Sequence, residues 1–121
     1  MFDHVSLKVR DFRKSFAFYR AALVPLGYQA QHLDESGKNV GFGPQGRVAL
    51  WIAEGSPHSS VHLAFESPTR MGVSKFYDAG LSSGGKDNGK PGLRPDYAND
   101  YFAAFLLDPD GNNVEAVTHG G

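Results

Sequence analysis

His4 and His62 occupy matching places in two strand-like stretches, Asp3-His4-Val5-Ser6-Leu7-Lys8-Val9 and Val61-His62-Leu63-Ala64-Phe65. Apolar residues alternate in both, so Val5, Leu7 and Val9 share one face, as do Val61, Leu63 and Phe65. The histidines point the other way. Glu115 has the same outward parity in Asn113-Val114-Glu115-Ala116-Val117, and a carboxylate set between apolar strand residues needs a partner. Two imidazoles and one carboxylate, brought to a shared face, are a ligand set for a divalent cation with open positions: Fe(II), Zn, Mn or Ni. The competing reading is three half-exposed strand residues with no common role. His32, His58 and His119 have no such counterpart and read as surface residues. Nucleophilic catalysis has little support, because the chain has no cysteine, no Gly-x-Ser-x-Gly elbow and no phosphate-cradling glycine loop.

The elements that would position these groups come from an internal repeat. Phe18-Tyr19-Arg20-Ala21-Ala22-Leu23 matches Phe76-Tyr77-Asp78-Ala79-Gly80-Leu81, and the same spacing lays His4 on His62, Leu7 on Phe65 and Gly27 on Gly85. The chain therefore divides into modules at 1–54 and 60–121, joined by Glu54-Gly55-Ser56-Pro57-His58-Ser59. After its opening strand the first module continues into a helix capped by Asp11, with Phe12, Phe16, Tyr19, Leu23 and Leu26 as its apolar stripe. Pro25 and Gly27 stop it. Strands are predicted near 28–33, 38–43 and 47–53. In the second module a helix is predicted from Thr69 to Leu81, with strands near 101–107 and 112–117 around the turn Asp108-Pro109-Asp110-Gly111. Lys86 to Asp100, rich in Gly, Pro and polar residues, reads as a long loop.

Composition narrows the function classes. With 121 residues there is room for one compact domain or two small modules sharing a core. A net charge of -1 lacks the basic excess of a nucleic-acid binder. No apolar run reaches the ~18 residues of a membrane span, and the first residues carry no signal-peptide pattern. A cytoplasmic setting is expected, which the lack of cysteine fits.

The chain resembles the vicinal oxygen chelate superfamily, which includes glyoxalase I, bleomycin-resistance proteins, fosfomycin-resistance proteins and extradiol dioxygenases. The resemblance rests on Asp3-His4-Val5, Phe18-Tyr19, Val61-His62-Leu63-Ala64-Phe65 and Leu107-Asp108-Pro109-Asp110-Gly111-Asn112-Asn113-Val114-Glu115. It implies an α+β fold of two paired βαβββ modules, forming a curved mixed sheet around a cleft. It also implies a divalent metal held by His4, His62 and Glu115, with Glu115 as the catalytic carboxylate, and a small-molecule substrate that chelates the metal through adjacent oxygens. The alternative within the same resemblance is a metal-free binding protein of the bleomycin-resistance kind. Glyoxalase I has a fourth ligand on the last strand of its first module, and aligning the final strands lays Leu50 on Glu115, so that ligand is missing. Arg94, Tyr97 and Tyr101, with Trp51 and Leu50, are the candidate substrate contacts, arginine for its bidentate grip on a carboxylate. A homodimer is expected, its clefts formed within one chain or between two.

Overall fold

The computed structural model describes residues 2–120; Met1 and Gly121, which the sequence-predicted modules include, lie outside the described residues. The first module runs β1 (Val5–Val9), α1 (Phe12–Leu23), β2 (Gln29–Asp34), β3 (Asn39–Gly43) and β4 (Leu50–Glu54). The second runs β5 (His62–Glu66), α2 (Arg70–Leu81), β6 (Lys86–Leu93), β7 (Tyr101–Leu107) and β8 (Asn113–His119). The strand orders are β1-β4-β3-β2 and β5-β8-β7-β6. In each sheet the first strand lies parallel to the last and the other pairings are antiparallel. The fold is α+β, a βαβββ unit used twice.

Both helices start on a side-chain cap. The Asp11 carboxylate accepts from the Lys14 amide and the Thr69 hydroxyl from the Gly72 amide. α1 gives way to a short 3-10 turn over Val24–Leu26 and stops at Gly27, whose φ of 92° is left-handed. The buried surface of α1 is wider than the predicted stripe. Phe18 and Ala22 are as buried as Tyr19 and Leu23, whereas Phe16 is only partly buried. The reason is that α1 packs both on its own sheet and on α2. A Cβ at Gly80 of α2 would collide with Phe18 and Leu106, and one at Gly85 would meet Phe18 at 2.5 Å. The helix pair thus lies between the apolar faces of the two sheets, and one continuous core runs from Leu7 and Phe42 through Phe18 and Phe76 to Leu106 and Val114.

As the paired βαβββ reading expects, each module makes its own open mixed sheet, burying one face on the helices and leaving the other uncovered within the chain. One correction concerns the predicted loop from Lys86 to Asp100. Its first half is β6, an edge strand paired with β7 through two register shifts. Pro91 is tolerated because the edge needs no donor there, and Gly89, with φ 148°, sits at the irregularity.

The Asp108-Pro109-Asp110-Gly111 turn ties the modules together. Asp108, 3% exposed, accepts the Tyr19 hydroxyl of α1 at 2.5 Å, the amides of Asp110 and Asn112, and the Asn112 side-chain amide. The Asn112 side-chain oxygen Oδ1 in turn accepts the Val61 amide at 2.7 Å, at the entry to β5. Burial, and then the Asp108 carboxylate, hold the Tyr19 phenol well above its ordinary pKa, so it stays a donor.

Candidate functional site

The uncovered face of the second sheet carries the densest group of reactive side chains. In the parallel β5–β8 ladder Ala64 pairs with Glu115 and His62 with Asn113, while on the other side Phe105 pairs with Glu115 and Tyr101 with His119. Cross-strand partners project to the same face. Glu115 is 2% exposed, so its charge needs compensation. The His62 ring nitrogen Nε2 lies 3.1 Å from Glu115 Oε1, and the Tyr101 hydroxyl donates to Oε2.

His62 Nδ1 lies 3.1 Å from the Asn113 carbonyl oxygen. A carbonyl only accepts, so Nδ1 carries the proton. In the neutral ring Nε2 then presents a lone pair to a carboxylate oxygen. This is the way a metal-binding histidine is oriented, its second nitrogen donating to a backbone carbonyl. Two donor atoms 3.1 Å apart also match the spacing of neighbouring ligands around a first-row cation, about 3.0–3.4 Å. Tyr101 acts on the far carboxylate oxygen. Burial first, and then the Glu115 carboxylate, push its phenol up to about 12, so it donates throughout the neutral range.

Arg94 and Tyr97 join the same face. The Arg94 guanidinium lies 5.3 Å from the centre of the Phe105 ring, a cation–π contact, and donates to the Lys90 carbonyl at 2.6 Å. No carboxylate among the described residues pairs with it. The Tyr97 ring meets Tyr101 edge to face at 5.0 Å. Arg94, Tyr97 and Phe105, with Asn88, Gly89 and Asn113, line a depression of about 300 Å³. A larger hollow of about 480 Å³ beside the start of α1 is lined by Arg10, Arg13, Lys38, Asp11, Glu35 and Glu54. Its charges oppose one another and it holds no histidine.

The remaining candidates are on the first module. His4 immediately precedes β1, exposed, with Nδ1 2.8 Å from Asp3 Oδ1. It does not meet His62 and Glu115 within the chain: among the described residues no three His, Asp or Glu side chains come together as a metal site. Leu50 is 2% exposed and belongs to the helix-facing core, so it lines no open face. The ladders explain why. Ser6 pairs with Trp51 as Ala64 pairs with Glu115, which makes Trp51, and not Leu50, the counterpart of Glu115. The sequence alignment slipped by one residue. His32, read as a plain surface residue, stacks on Trp51 with ring centres 6.1 Å apart. His58 is held by Arg10 at 3.1 Å and His119 lies 3.6 Å from Asp100.

The described helices include none long and apolar enough to cross a membrane. No curated protein matches the chain significantly. Among solved structures, a glyoxalase/bleomycin resistance protein from Albidiferax ferrireducens is 26% identical, with 99% of each chain covered and a TM-score of 0.81. A fosfomycin resistance protein from Listeria monocytogenes is 18% identical over 99% of this chain and 93% of its own, with a TM-score of 0.70. A glyoxalase I variant from Zea mays is 22% identical, covering 95% of this chain and 43% of its own, with a TM-score of 0.64. The family model of the Glyoxalase/Bleomycin resistance protein/Dioxygenase superfamily matches residues 1–116, and the chain belongs to that superfamily.

Proposed function

We propose that the protein is a divalent-metal-dependent enzyme acting on a small anionic molecule through two adjacent oxygens. The metal would be held by His62 and Glu115 of one chain and by His4 of the partner subunit in a homodimer. The observation that carries this reading is the His62–Glu115 pair: a ring nitrogen and a carboxylate oxygen 3.1 Å apart, each fixed from behind by its own hydrogen bond. The dimer supplies what the single chain leaves out. With both apolar faces spent on the helices, the polar faces bearing His4 and Glu115 meet only if a second copy brings its first sheet over the second sheet of this one, which gives two equivalent sites.

A bound divalent cation supplies Lewis-acid polarisation of the substrate's oxygens. The chain's own groups do the rest. Asn113 fixes the ring of His62, Tyr101 holds Glu115 by one oxygen, and Arg94 offers free guanidinium donors to a substrate carboxylate beside them. Glu115 is the group placed to take or return a proton at Oε1. Trp51 at the counterpart of Glu115 removes the fourth carboxylate expected of glyoxalase I, so the proposed chemistry is that of the three-ligand relatives.

One observation favours a second reading. The same His62–Glu115 contact closes on itself as an ion pair when Nε2 is protonated, which suits a metal-free binding protein of the bleomycin-resistance kind. Elemental analysis of protein purified without chelators or nickel resin separates the two. About one Zn, Mn, Ni or Fe per chain, lost in His62→Ala and in Glu115→Ala, is expected. Metal below a tenth of that, unmoved by either substitution after incubation with each ion, would exclude the enzyme reading.

A further inference from the structure

The open face of the first sheet is built as an aromatic platform. Trp51 on β4 is half-buried, and on β3 its cross-strand partner is Gly41. A Cβ at Gly41 would lie 3.1 Å from the indole and 2.8 Å from Val48, so the missing side chain is what lets the indole lie low across the sheet. Beyond it on β2 stands His32, exposed, its ring inclined only 29° to the indole. His32 holds φ 54°, a left-handed conformation that costs a non-glycine residue energy, at the irregularity between Gln31 and Asp34. Core packing does not require a histidine there, since the side chain is outside the core and its one aromatic neighbour is Trp51. An exposed imidazole thus lies beside an indole on a face that the chain itself leaves uncovered.

We infer that Trp51 and His32 form a stacking subsite for a planar conjugated ring, so that the substrate of this site is an aromatic or heteroaromatic anion. This deepens the proposed function and rests on it for the placement of the anionic end, near the partner subunit's Arg94, the partner subunit's His62 and the partner subunit's Glu115. The platform itself needs no metal, since an indole face and an imidazole attract a flat π-system through dispersion and quadrupole alone. Saturated rings of the same charge lack that face.

The experiment compares phthalate with cis-cyclohexane-1,2-dicarboxylate. They carry the same two adjacent carboxylates and differ in the ring. Binding is read by calorimetry and by the emission of Trp51, the one tryptophan in the chain, with and without chelator. Wild-type protein should prefer phthalate by about 3–10-fold, from a stacking pair of ordinary strength, with a shift in Trp51 emission, and the preference should persist under chelator. Trp51→Ala should bring the ratio to about 1. His32→Gly supplies the control for folding: it should raise the melting temperature, because glycine relieves the left-handed strain, while still lowering the preference. Equal affinity for the two probes in wild-type protein, or an unchanged preference in His32→Gly, would overturn the inference. Loss of metal dependence with the preference intact would instead count against the metal reading alone.

Discussion

The two modules share a backbone plan and differ in what they put on it. Both helices are twelve residues long and begin at Phe12 and Arg70, on the repeat spacing that relates His4 to His62. In the last strand, however, the first module has Trp51 and the second has Glu115, each opposite a small residue of the opening strand, Ser6 or Ala64. The first face is aromatic and the second is ionisable. The comparison teaches that the βαβββ frame tolerates either content, because the helix-facing residues alone carry the fold. The open face is left free to carry function, and the proposed site draws one half from each kind of module.

The modules also differ in how their hairpins are anchored, and that difference gives the largest expected effect. Asp108 accepts four hydrogen bonds in a buried turn. Asp108→Ala should cost about 3–5 kcal/mol in urea denaturation, since it strands the Tyr19 hydroxyl, two backbone amides and the Asn112 side-chain amide. A loss under 1 kcal/mol would mean that the turn does not hold α1 to the second sheet. The first module's counterpart anchor is Glu54, which accepts the Phe12 amide at 3.1 Å and Lys38 Nζ at 3.2 Å near the surface.

Next in size is the support behind Glu115. Tyr101→Phe removes the donor to Oε2 while keeping the ring, and should weaken metal binding by about 10–100-fold with little change in melting temperature at neutral pH. Metal titration followed by calorimetry measures it. The same variant has an alkaline signature. The folded phenol pKa is raised from 10.0 to about 12, so the folded state keeps a proton that the unfolded state loses. Its contribution to stability is therefore complete below about pH 10 and disappears as pH rises toward 12. Tyr101→Phe should flatten part of the stability loss across that window, with Tyr19 and Tyr77, both also raised, accounting for the rest.

The smallest effect lies in the first module. The Phe12 amide, and then Lys38, hold the Glu54 carboxyl below its ordinary value of 4.5. The stability this adds is present above pH 4.5 and fades as pH falls through the depressed value. Glu54→Gln should lower neutral stability slightly and flatten the loss of stability on acidification, which urea denaturation followed by circular dichroism at several pH values would register. A large loss at neutral pH would show the first module's anchor to be as strong as the second's.

The frame was legible in the sequence because its signals are local. Helix caps and the alternation of Val5, Leu7 and Val9 lie within a few residues of what they determine, and the repeat shows the same local signals twice. The long edge strand was not, since Lys-Asp-Asn-Gly-Lys-Pro-Gly-Leu over Lys86–Leu93 has neither alternation nor β-branched residues, and only pairing with β7 makes it a strand. The register of β4 was missed for a related reason. Leu50, Trp51 and Ile52 are all apolar, so parity could not be read there, and the loops before β4 and β8 differ in length. The site was half legible. His62 and Glu115 announced themselves by parity, whereas the partnership of His62 with the Asn113 carbonyl and of His32 with Trp51 depends on backbone positions that no residue pattern encodes.

The central claim, that each site draws on two chains, is tested most directly by mixing His4→Ala and Glu115→Ala proteins, refolding them together and measuring bound metal. Each parent alone should bind almost none. A mixed dimer should regain about one intact site, formed by His4 from the Glu115→Ala chain with His62 and Glu115 from the His4→Ala chain. Metal in the mixture no higher than the average of the two parents would contradict the account.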